Sequence, residues 1–297
     1  MPELPEVENL KIGLAKAIVG QKIKKVVVKK PKLISGKGNI SIASKKKTHE
    51  FTYELVGEKF IAIERRAKNL IFKLSHNKII LAHLKMSGQF AYKGKNKKII
   101  GGHPIELSEH TLPNKHTHII FELEKGALYY NDTRMFGYVL YYPYLRVFET
   151  ENHFSAYGLE PLDKQFTITN FKLGIKKSKA KIKSVLMTQK LVAGLGNIYA
   201  DESLFEARIR PDRNANSLSL SEIKKLHSAI TRIIKSAIKQ GGSSVATYRL
   251  LDMSQGNYAR EHKVYGKAGK NCPRCKTPLK KILIQSRSTI FCPSCQK

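Results

Sequence analysis

The sequence predicts an α+β protein with a strand-rich first half, a helical second half and a small terminal module. Short β-branched and aromatic segments separated by turn residues fill the chain up to about residue 150, and apolar residues at helical spacing dominate beyond it. The four cysteines all lie between 272 and 295. A chain of 297 residues, 41% of them hydrophobic, accommodates one large domain, or two ordinary domains and such a module.

The first half is expected to begin with a helix over 6–19, where Val7, Leu10 and Leu14 belong to an apolar stripe. Turn signals such as Lys125-Gly126 separate the segments that follow. Strands are expected over 23–28, 60–63, 70–74, 79–84, 119–123 and 127–130.

The second half is expected to follow a linker near 143–155. Ser219 or Ser221 is suited to cap a helix that begins near Glu222, and Gly241-Gly242 is suited to end it. Residues 252–266 are expected to form a polar loop that leads into a strand. Helices are expected over 166–173, 181–190, 196–207, 221–239 and 245–251.

The charge balance indicates a polyanionic partner. There are 54 Lys and Arg against 23 Asp and Glu, a net charge of +31. A generally Lys-rich proteome is an alternative source of part of this excess. The basic runs at 45–47, 93–98 and 176–183 are expected in loops or on solvated faces.

No membrane or secretory segment is expected. The sequence has no run of 18 apolar residues, and its start, MPELPEVE, is acidic and Pro-rich, unlike a signal peptide. We therefore expect a cytoplasmic protein in a reducing compartment, where clustered cysteines indicate metal binding rather than disulfides.

The cysteines have the spacing of a zinc site. Cys272, Cys275, Cys292 and Cys295 form a C-x2-C-x16-C-x2-C pattern, and residues 279–291 can form the hairpin that joins the two pairs. Four thiolates leave no open coordination position, so the pattern predicts one structural zinc ion.

The N-terminus has two interpretations. Removal of Met1 gives Pro2 a free secondary amine with a pKa near ~8, so a useful fraction is unprotonated at neutral pH and can form an iminium (Schiff base) with a sugar carbon. Glu3 and Glu6 are within reach of that amine. Alternatively, the segment only starts a helix, with Pro5 at an early position and the acidic residues favouring the helix dipole.

The N-terminal segment resembles that of the formamidopyrimidine-DNA glycosylases, the MutM type of the Fpg/Nei family. Further matching blocks follow in family order and extend over essentially the whole chain. They are residues 1–8, 65–68, 83–88, 115–118, 132–137, 157–162, 194–202, 264–266 and 287–296.

This resemblance implies an N-terminal β-sandwich flanked by helices (1–145), a helix–two-turn–helix DNA-binding domain (155–250) and a β-hairpin zinc finger (262–297). It implies a monomeric DNA glycosylase and AP lyase that excises oxidised purines from damaged double-stranded DNA and cuts the strand by β,δ-elimination. The enzyme would need no redox cofactor, and DNA binding would hold it at the nucleoid in the cytoplasm.

Catalytic roles carry over to four residues. Pro2 is implied as the nucleophile at the deoxyribose C1′ and Glu3 as the acid/base that assists ring opening. Lys68 resembles the lysine assigned to β-elimination, and Arg287 the zinc-finger arginine assigned to δ-elimination.

DNA contacts carry over to a second set. Met86, Arg134 and Phe136 resemble the residues that fill the hole left by the extruded base, where a wedge needs apolar or flat groups and the orphaned cytosine needs a donor. Other implied DNA contacts are His116, Asn197 and Lys179, although Lys176 and Lys177 are alternatives to Lys179.

Three regions depart from the pattern or are open. Met135 stands where many members have a second arginine, so a phosphate contact is in doubt. The Lys-rich stretch 91–114 is long and is expected to be a loop, and residues 250–261 are the candidate for the loop that contacts the flipped base. A Nei-type glycosylase for oxidised pyrimidines and a non-catalytic zinc-containing DNA-binding protein are the alternative functions.

Overall fold

The computed structural model describes residues 1–36, 45–94, 98–102, 111–243 and 257–297. Contacts divide the chain into two compact units. One comprises Met1–His153 with Gly241–Gly256, and the other comprises Phe154–Gln240 with Asn257–Lys297. The expected three-part domain division stays a prediction, although in this structure the finger residues group with the helical region.

The first unit contains two antiparallel sheets. A five-stranded sheet has the order β1-β7-β8-β5-β6 and a four-stranded sheet the order β2-β3-β4-β9. The strands are β1 (Ile23–Val28), β2 (Phe60–Arg66), β3 (Asn69–Leu74), β4 (Ile79–His83), β5 (Gly88–Gly94), β6 (Lys98–Gly102), β7 (Thr117–Leu123), β8 (Gly126–Asp132) and β9 (Tyr138–Tyr142).

The two sheets share one hydrophobic core. Phe72 of the four-stranded sheet packs edge-on against Phe90 of the five-stranded sheet, with ring centroids 5.3 Å apart. Apolar inner faces of two sheets bury each other in this way in a β-sandwich. The α+β fold with an N-terminal β-sandwich is therefore confirmed.

Helices flank this sandwich. The first, α1 (Leu4–Ile18), buries the stripe that includes Val7, Leu10 and Leu14. The others are α2 (Lys32–Ser35), α3 (Lys45–Tyr53) and α4 (Leu145–Thr150). The basic run 45–47 lies exposed on α3, as expected for a solvated face.

Every strand that the sequence predicts for the first half is present, but three strands of that half escaped prediction. Gly88 and Gly94 bound β5 and give it the composition of a turn, whereas β9 is an apolar run without strict alternation. The expected loop over 91–114 is wrong in part, because β5 and β6 pair antiparallel there. The rest of that stretch lies partly outside the described residues.

The second unit is mainly helical. Its helices are α5 (Ile168–Lys176), α6 (Ile182–Met187), α7 (Asn197–Ala207), α8 (Leu220–Lys239) and α9 (Tyr258–Glu261). A hairpin of β10 (Lys280–Ile284) and β11 (Arg287–Phe291) confirms the one expected between the cysteine pairs. The polar loop expected over 252–266 is wrong in part, because α9 lies within its described residues. The strand expected directly after that loop is not found among the described residues before β10. The helix expected over 245–251 lies outside the described residues.

The longest helix, α8, has the expected ends. Ser219 caps it and forms a reciprocal capping box with Glu222, which stabilises the first turn. The helix gives way to Gly241 and Gly242, both with positive φ. Within the parts of the chain that the structure describes, we find no helix long and apolar enough to cross a membrane.

One expectation about charge is wrong. Lys183 belongs to the basic run 176–183, yet its side chain is fully buried and lies 2.6 Å from Asp201. Burial of both charges is tolerated because each is paired and hydrogen-bonded.

Candidate active site

The N-terminal segment is held in a fixed geometry. Glu3 is the N-cap residue of α1, and its backbone N–H donates to Glu6 Oε2 at 2.9 Å. The other oxygen of Glu6 accepts the Ser243 N–H at 2.7 Å. Pro2 is buried beside these residues, whereas Met1 is exposed. The segment therefore does start a helix. This is compatible with a catalytic Pro2, because Pro2 directly precedes the residue that these bonds hold in place.

Lys68 lies in a braced hairpin turn. Arg66 pairs with Asn69, so Ala67 and Lys68 form a tight connection between β2 and β3. Arg65 donates to the Ala67 carbonyl at 3.2 Å and to Glu8 of α1 at 2.6 Å. Burial opposes ionisation of Glu8, but bonds from Lys11 and Arg65 outweigh it and lower its pKa. Helix α1 and the Lys68 turn are thus joined by a charged pair.

His83 is the last residue of β4, an inner strand of the four-stranded sheet. It pairs with Asn69 on one side and with Tyr138 on the other, and Tyr138 Oη donates to Asn69 Oδ1 at 3.0 Å. Its Nδ1 accepts the Lys85 N–H at 2.9 Å. The ring therefore presents Nε2–H as a donor when it is neutral.

Electrostatics keep this imidazole neutral. Burial first, then the positive charges of Lys85, Lys68 and the N-terminal amine, lower the pKa of His83 to about 3. The amine is that of Met1, the residue before Pro2. His83 lies in the matching block 83–88, for which only Met86 has an expected role. Its signal was its position at the end of a strand, just before Met86.

Met86, Arg134 and Phe136 lie on two turns at the end of the sandwich. Met86 and Phe136 are large apolar side chains that are 42% and 37% exposed. The Arg134 guanidinium lies over the Phe136 ring, 4.5 Å from its centroid. Exposed apolar groups on polar turns favour a surface that meets a partner. Met135, at the position of the missing arginine, packs instead against the sandwich core.

His116 lies beside the second of these turns. It directly precedes β7, and its carbonyl accepts the Asp132 N–H at 3.0 Å. Its own N–H donates to Asn114 Oδ1 at 2.9 Å. The backbone at His116 is therefore fixed, while its ring is half-buried.

In the second unit, Asn197 and Arg287 are linked through one carbonyl. Asn197 begins α7, and its Nδ2 donates to the Ser288 carbonyl at 3.0 Å. Arg287 precedes Ser288 and is exposed at the end of a tight hairpin turn whose residues, Gln285 and Ser286, have positive φ. One hydrogen bond therefore joins Asn197 to the strand that carries Arg287.

Lys183 also holds strand β11 in place. Its ammonium donates to the Ser288 carbonyl at 3.1 Å and to Thr289 Oγ1 at 2.8 Å. Its partner Asp201 accepts the Ile290 N–H at 3.1 Å. Burial raises the pKa of Asp201 to about 7, although Lys183 opposes this. Sequence reasoning missed this pair because both charges looked like surface residues.

A buried carboxylate also holds the Val264-Tyr265 block. Glu202 accepts the backbone N–H groups of Lys263, Val264 and Tyr265 at 2.8, 3.0 and 2.8 Å. Burial raises the pKa of Glu202, while these three bonds oppose the shift. Glu202 lies in the matching block 194–202, but local spacing there does not indicate what its side chain contacts.

The three candidate lysines differ in their surroundings. Lys176 donates to the carbonyls of Asn216 and Leu218 at 2.9 and 2.7 Å, so it closes a turn of its own unit. All three lysines are exposed, so the difference lies in these two bonds of Lys176. The structure thus makes Lys176 the least suited of the three to meet a ligand, and Lys179 stays a prediction.

The cysteines fit a zinc ion. The four sulfur atoms lie within 4.8 Å of one another. In a tetrahedral site with Zn–S bonds of about 2.3 Å, sulfur atoms are about 3.8 Å apart. Here Cys272 and Cys295 are 3.9 Å apart, and Cys275 and Cys292 are 3.4 Å apart. The Arg274 N–H donates to Cys272 Sγ at 3.4 Å, as expected in a cysteine knuckle. The predicted structural zinc site is confirmed.

Comparisons with known proteins identify the same family along essentially the whole chain. The formamidopyrimidine-DNA glycosylase N-terminal domain matches residues 1–139, the H2TH domain of the same enzymes matches 157–249, and a zinc finger found in FPG and IleRS matches 269–297. Formamidopyrimidine-DNA glycosylases from Listeria monocytogenes and Streptococcus mutans are 42% and 40% identical, with 100% of both chains covered.

Solved structures match equally well. A mutant of Lactococcus lactis FPG in complex with Fapy-dG-containing DNA is 37% identical, has a TM-score of 0.84 and covers 100% of both chains. Lactococcus lactis Fpg in complex with DNA containing an abasic site is 36% identical, has a TM-score of 0.83 and covers 99% of both.

Proposed function

Because the chain belongs to the formamidopyrimidine-DNA glycosylase family, it is a DNA glycosylase and AP lyase of base excision repair that acts on oxidised purines, and we propose that Pro2 is its nucleophile. The observation that carries the proposal is the position of Pro2, which is buried directly before Glu3, the residue that caps α1. The same helix is joined to the turn that carries Lys68 through the Arg65–Glu8 pair. This supports a single centre in which the Pro2 amine and Lys68 work on one sugar.

The proposed chemistry begins when removal of Met1 frees the Pro2 amine. The lesion leaves the base stack, because C1′ is shielded while the base is stacked. The amine lone pair attacks C1′ as the C1′–N bond to the base breaks, and the proton that the amine loses neutralises the departing base. Glu3 then transfers a proton to the ring oxygen O4′ as the C1′–O4′ bond breaks, which leaves an iminium between Pro2 and C1′.

The iminium then acts as an electron sink. Loss of a C2′ proton expels the 3′ phosphate, a β-elimination in which we assign a role to Lys68. Loss of a further proton expels the 5′ phosphate, a δ-elimination that we assign to Arg287. An arginine suits this step because its guanidinium is planar, always charged and able to grip phosphate oxygens.

The remaining residues hold the DNA. We assign Met86, Arg134 and Phe136 to the space that the flipped base leaves, and Asn197, Lys179 and His116 to other DNA contacts. Their exposure supports this for Met86, Arg134, Phe136 and Lys179. The proposed domains are 1–145 for catalysis, 155–250 for DNA binding and 262–297 for the zinc finger.

We further propose that the enzyme acts as a monomer on damaged double-stranded DNA. Its substrate is chromosomal, so we place it in the cytoplasm at the nucleoid. Lactococcus lactis FPG, 35% identical with a TM-score of 0.83, has also been crystallised with DNA containing an oxidised pyrimidine. The test below therefore compares both lesion classes.

Borohydride trapping on lesion-containing duplexes tests the nucleophile. Protein lacking Met1 should form a covalent adduct with 8-oxoguanine DNA faster than with thymine glycol DNA. Pro2→Gly keeps a primary, less constrained amine and should leave weak activity, whereas Pro5→Gly, the matched control, leaves the amine intact and should trap like the parent. No adduct from the parent enzyme would reject Pro2 as nucleophile, and faster trapping on thymine glycol would favour the pyrimidine class.

Glu3→Gln separates base removal from strand cleavage. The variant keeps size and polarity but cannot transfer the proton, and such help is typically worth ~100 to 10,000-fold in rate. We expect this loss for excision of 8-oxoguanine and a much smaller one for cleavage at a preformed abasic site. Excision at the parental rate would show that Glu3 is not the acid.

A further inference from the structure

Asp132 lies at the end of β8, where one buried carboxylate contacts two separate turns. Oδ1 accepts the Ser87 hydroxyl at 2.5 Å and the backbone N–H groups of Arg134 and Met135 at 3.2 and 3.1 Å. Oδ2 accepts the Gly137 N–H at 2.8 Å. The side chain is completely buried. A buried carboxylate needs hydrogen-bond donors to satisfy its oxygens, and the donors are fixed in return.

The two turns are those that carry Met86, Arg134 and Phe136. The first, closed by a Gly88 N–H bond to the Leu84 carbonyl at 2.8 Å, places Met86 directly before Ser87. The second runs from Asp132 to Gly137 and places Arg134 and Phe136 on either side of Met135. Ser87 Oγ also accepts the Arg134 N–H at 3.1 Å. The hydroxyl of Ser87 thus joins the turns directly.

Packing around the carboxylate allows little freedom. A Cβ at Gly137 would collide with Tyr130 Oη, and one at Gly88 would lie 2.7 Å from the same oxygen. Both Lys85 and Met135 adopt positive φ, at 49° and 52°. Such conformations persist only where surrounding bonds hold them, because they are unfavourable for residues other than glycine.

We propose that Asp132 is a positioning residue that holds Met86, Arg134 and Phe136 in register, so that all three enter the DNA duplex as one preformed unit. This inference rests on the role proposed above for those three side chains. A preformed wedge spends no ordering entropy when the base leaves the stack, so it favours the flipped state more than three independently mobile side chains would.

Asp132→Asn tests this directly, because it preserves volume but replaces one acceptor oxygen by an NH2 donor. In either amide orientation the NH2 faces a backbone N–H or the Ser87 hydroxyl cluster, so one turn is released. Glu58→Gln is the matched control. It makes the same change in a buried carboxylate of the same unit. Glu58 accepts hydrogen bonds from the Ser75 hydroxyl and from Lys78, which lie just after the C-terminal end of β3.

Two substrates separate positioning from general damage. On duplex 8-oxoguanine DNA, where a hole must be filled, we expect Asp132→Asn to slow single-turnover excision at least tenfold. On a single-stranded abasic oligonucleotide, where no hole exists, borohydride trapping should stay within about twofold of the parent. Fluorescence of 2-aminopurine beside the lesion should rise less with the variant, since unstacking is impaired. Glu58→Gln should match the parent in all three measurements.

Several outcomes overturn the proposal. Parental excision on the duplex would do so, as would an equal loss on both substrates, because the role would then be merely structural. Where Asp132→Asn is too unstable to purify, Ser87→Ala keeps the carboxylate and cuts the direct link between the turns. It should show a smaller loss confined to the duplex, and a parental rate would also overturn the idea. Absence of trapping by the parent enzyme on single-stranded DNA would instead count against Pro2, not Asp132.

Discussion

Acidification should destabilise the protein through His83, and the size of the effect follows from its surroundings. Burial and the positive charges of Lys85, Lys68 and the N-terminal amine lower its pKa from 6.5 to about 3. Between these values the unfolded chain binds a proton that the folded chain rejects. Stability is therefore full above pH 6.5 and is lost as the pH falls, by about 1.4 kcal/mol per pH unit.

From pH 7 to pH 5 this amounts to about 2 kcal/mol from His83 alone. In a unit of this size, a loss of 2 kcal/mol lowers Tm by about 4 to 8 °C. Lowered carboxylate pKa values, as at Glu8 and Glu58, act below pH 4.5 and lie outside this window. His118 and His262 also have lowered pKa values and add to the loss, whereas the raised pKa of Asp201, about 7, acts in the opposite direction between pH 7 and pH 5.

The variant His83→Gln isolates the contribution of one ring. It cannot titrate in this range, so its drop in Tm between pH 7 and pH 5 should be smaller than the parent's by about 4 to 8 °C. Thermal unfolding followed by circular dichroism at pH 7, 6 and 5 measures the difference. Equal drops for both proteins would refute the argument, because His83 would then be protonated in the folded state or already exposed.

Two further predictions concern DNA binding. Chelation of zinc should abolish binding while far-UV circular dichroism changes little, because Cys272 and Cys292 belong to a small cluster that includes Phe205 and has little other core; undiminished affinity in a metal-free sample would contradict this. Binding should weaken steeply with salt, and Lys179→Ala should reduce the log–log slope by about 1 while the exposed Lys45 gives a matched control. A parental slope near zero would make the net charge of +31 irrelevant to binding.

Most of the fold can be predicted from local sequence patterns. The capping box of Ser219 and Glu222 and the paired glycines after α8 act within a few residues, so the sequence predicts the ends of that helix. Strand β1 was predicted to the residue because its β-branched run ends at turn residues. Strands β5 and β9 were missed because their pairing, not their composition, makes them strands.

The residues of the candidate site also fall into those that local motifs predict and those that depend on distant partners. Motifs fix the chain positions of Pro2, Lys68 and the four cysteines, because short spacings and a resemblance suffice for them. Three charged residues were missed or misjudged: Lys183, Asp132 and Glu202. Their key partners are far along the chain, with separations of 106 residues for Lys183 and Thr289, 45 for Ser87 and Asp132, and 63 for Glu202 and Tyr265.

These three buried charges share a physical logic. A charge is costly to remove from water, so sequence reasoning assigns it to the surface unless a partner is known. Once buried, it is tolerated only if donors or acceptors satisfy it. The groups that do so here include backbone atoms of turns and strand ends, together with the side chains of Ser87, Thr289 and Asp201. Each such turn or strand end carries or adjoins a residue from a matching block, Arg134, Arg287 or Tyr265. Displacement of such a turn would leave a buried charge unsatisfied, which is energetically costly. Each buried charge therefore makes rigid a part of the backbone that the proposed function places near DNA.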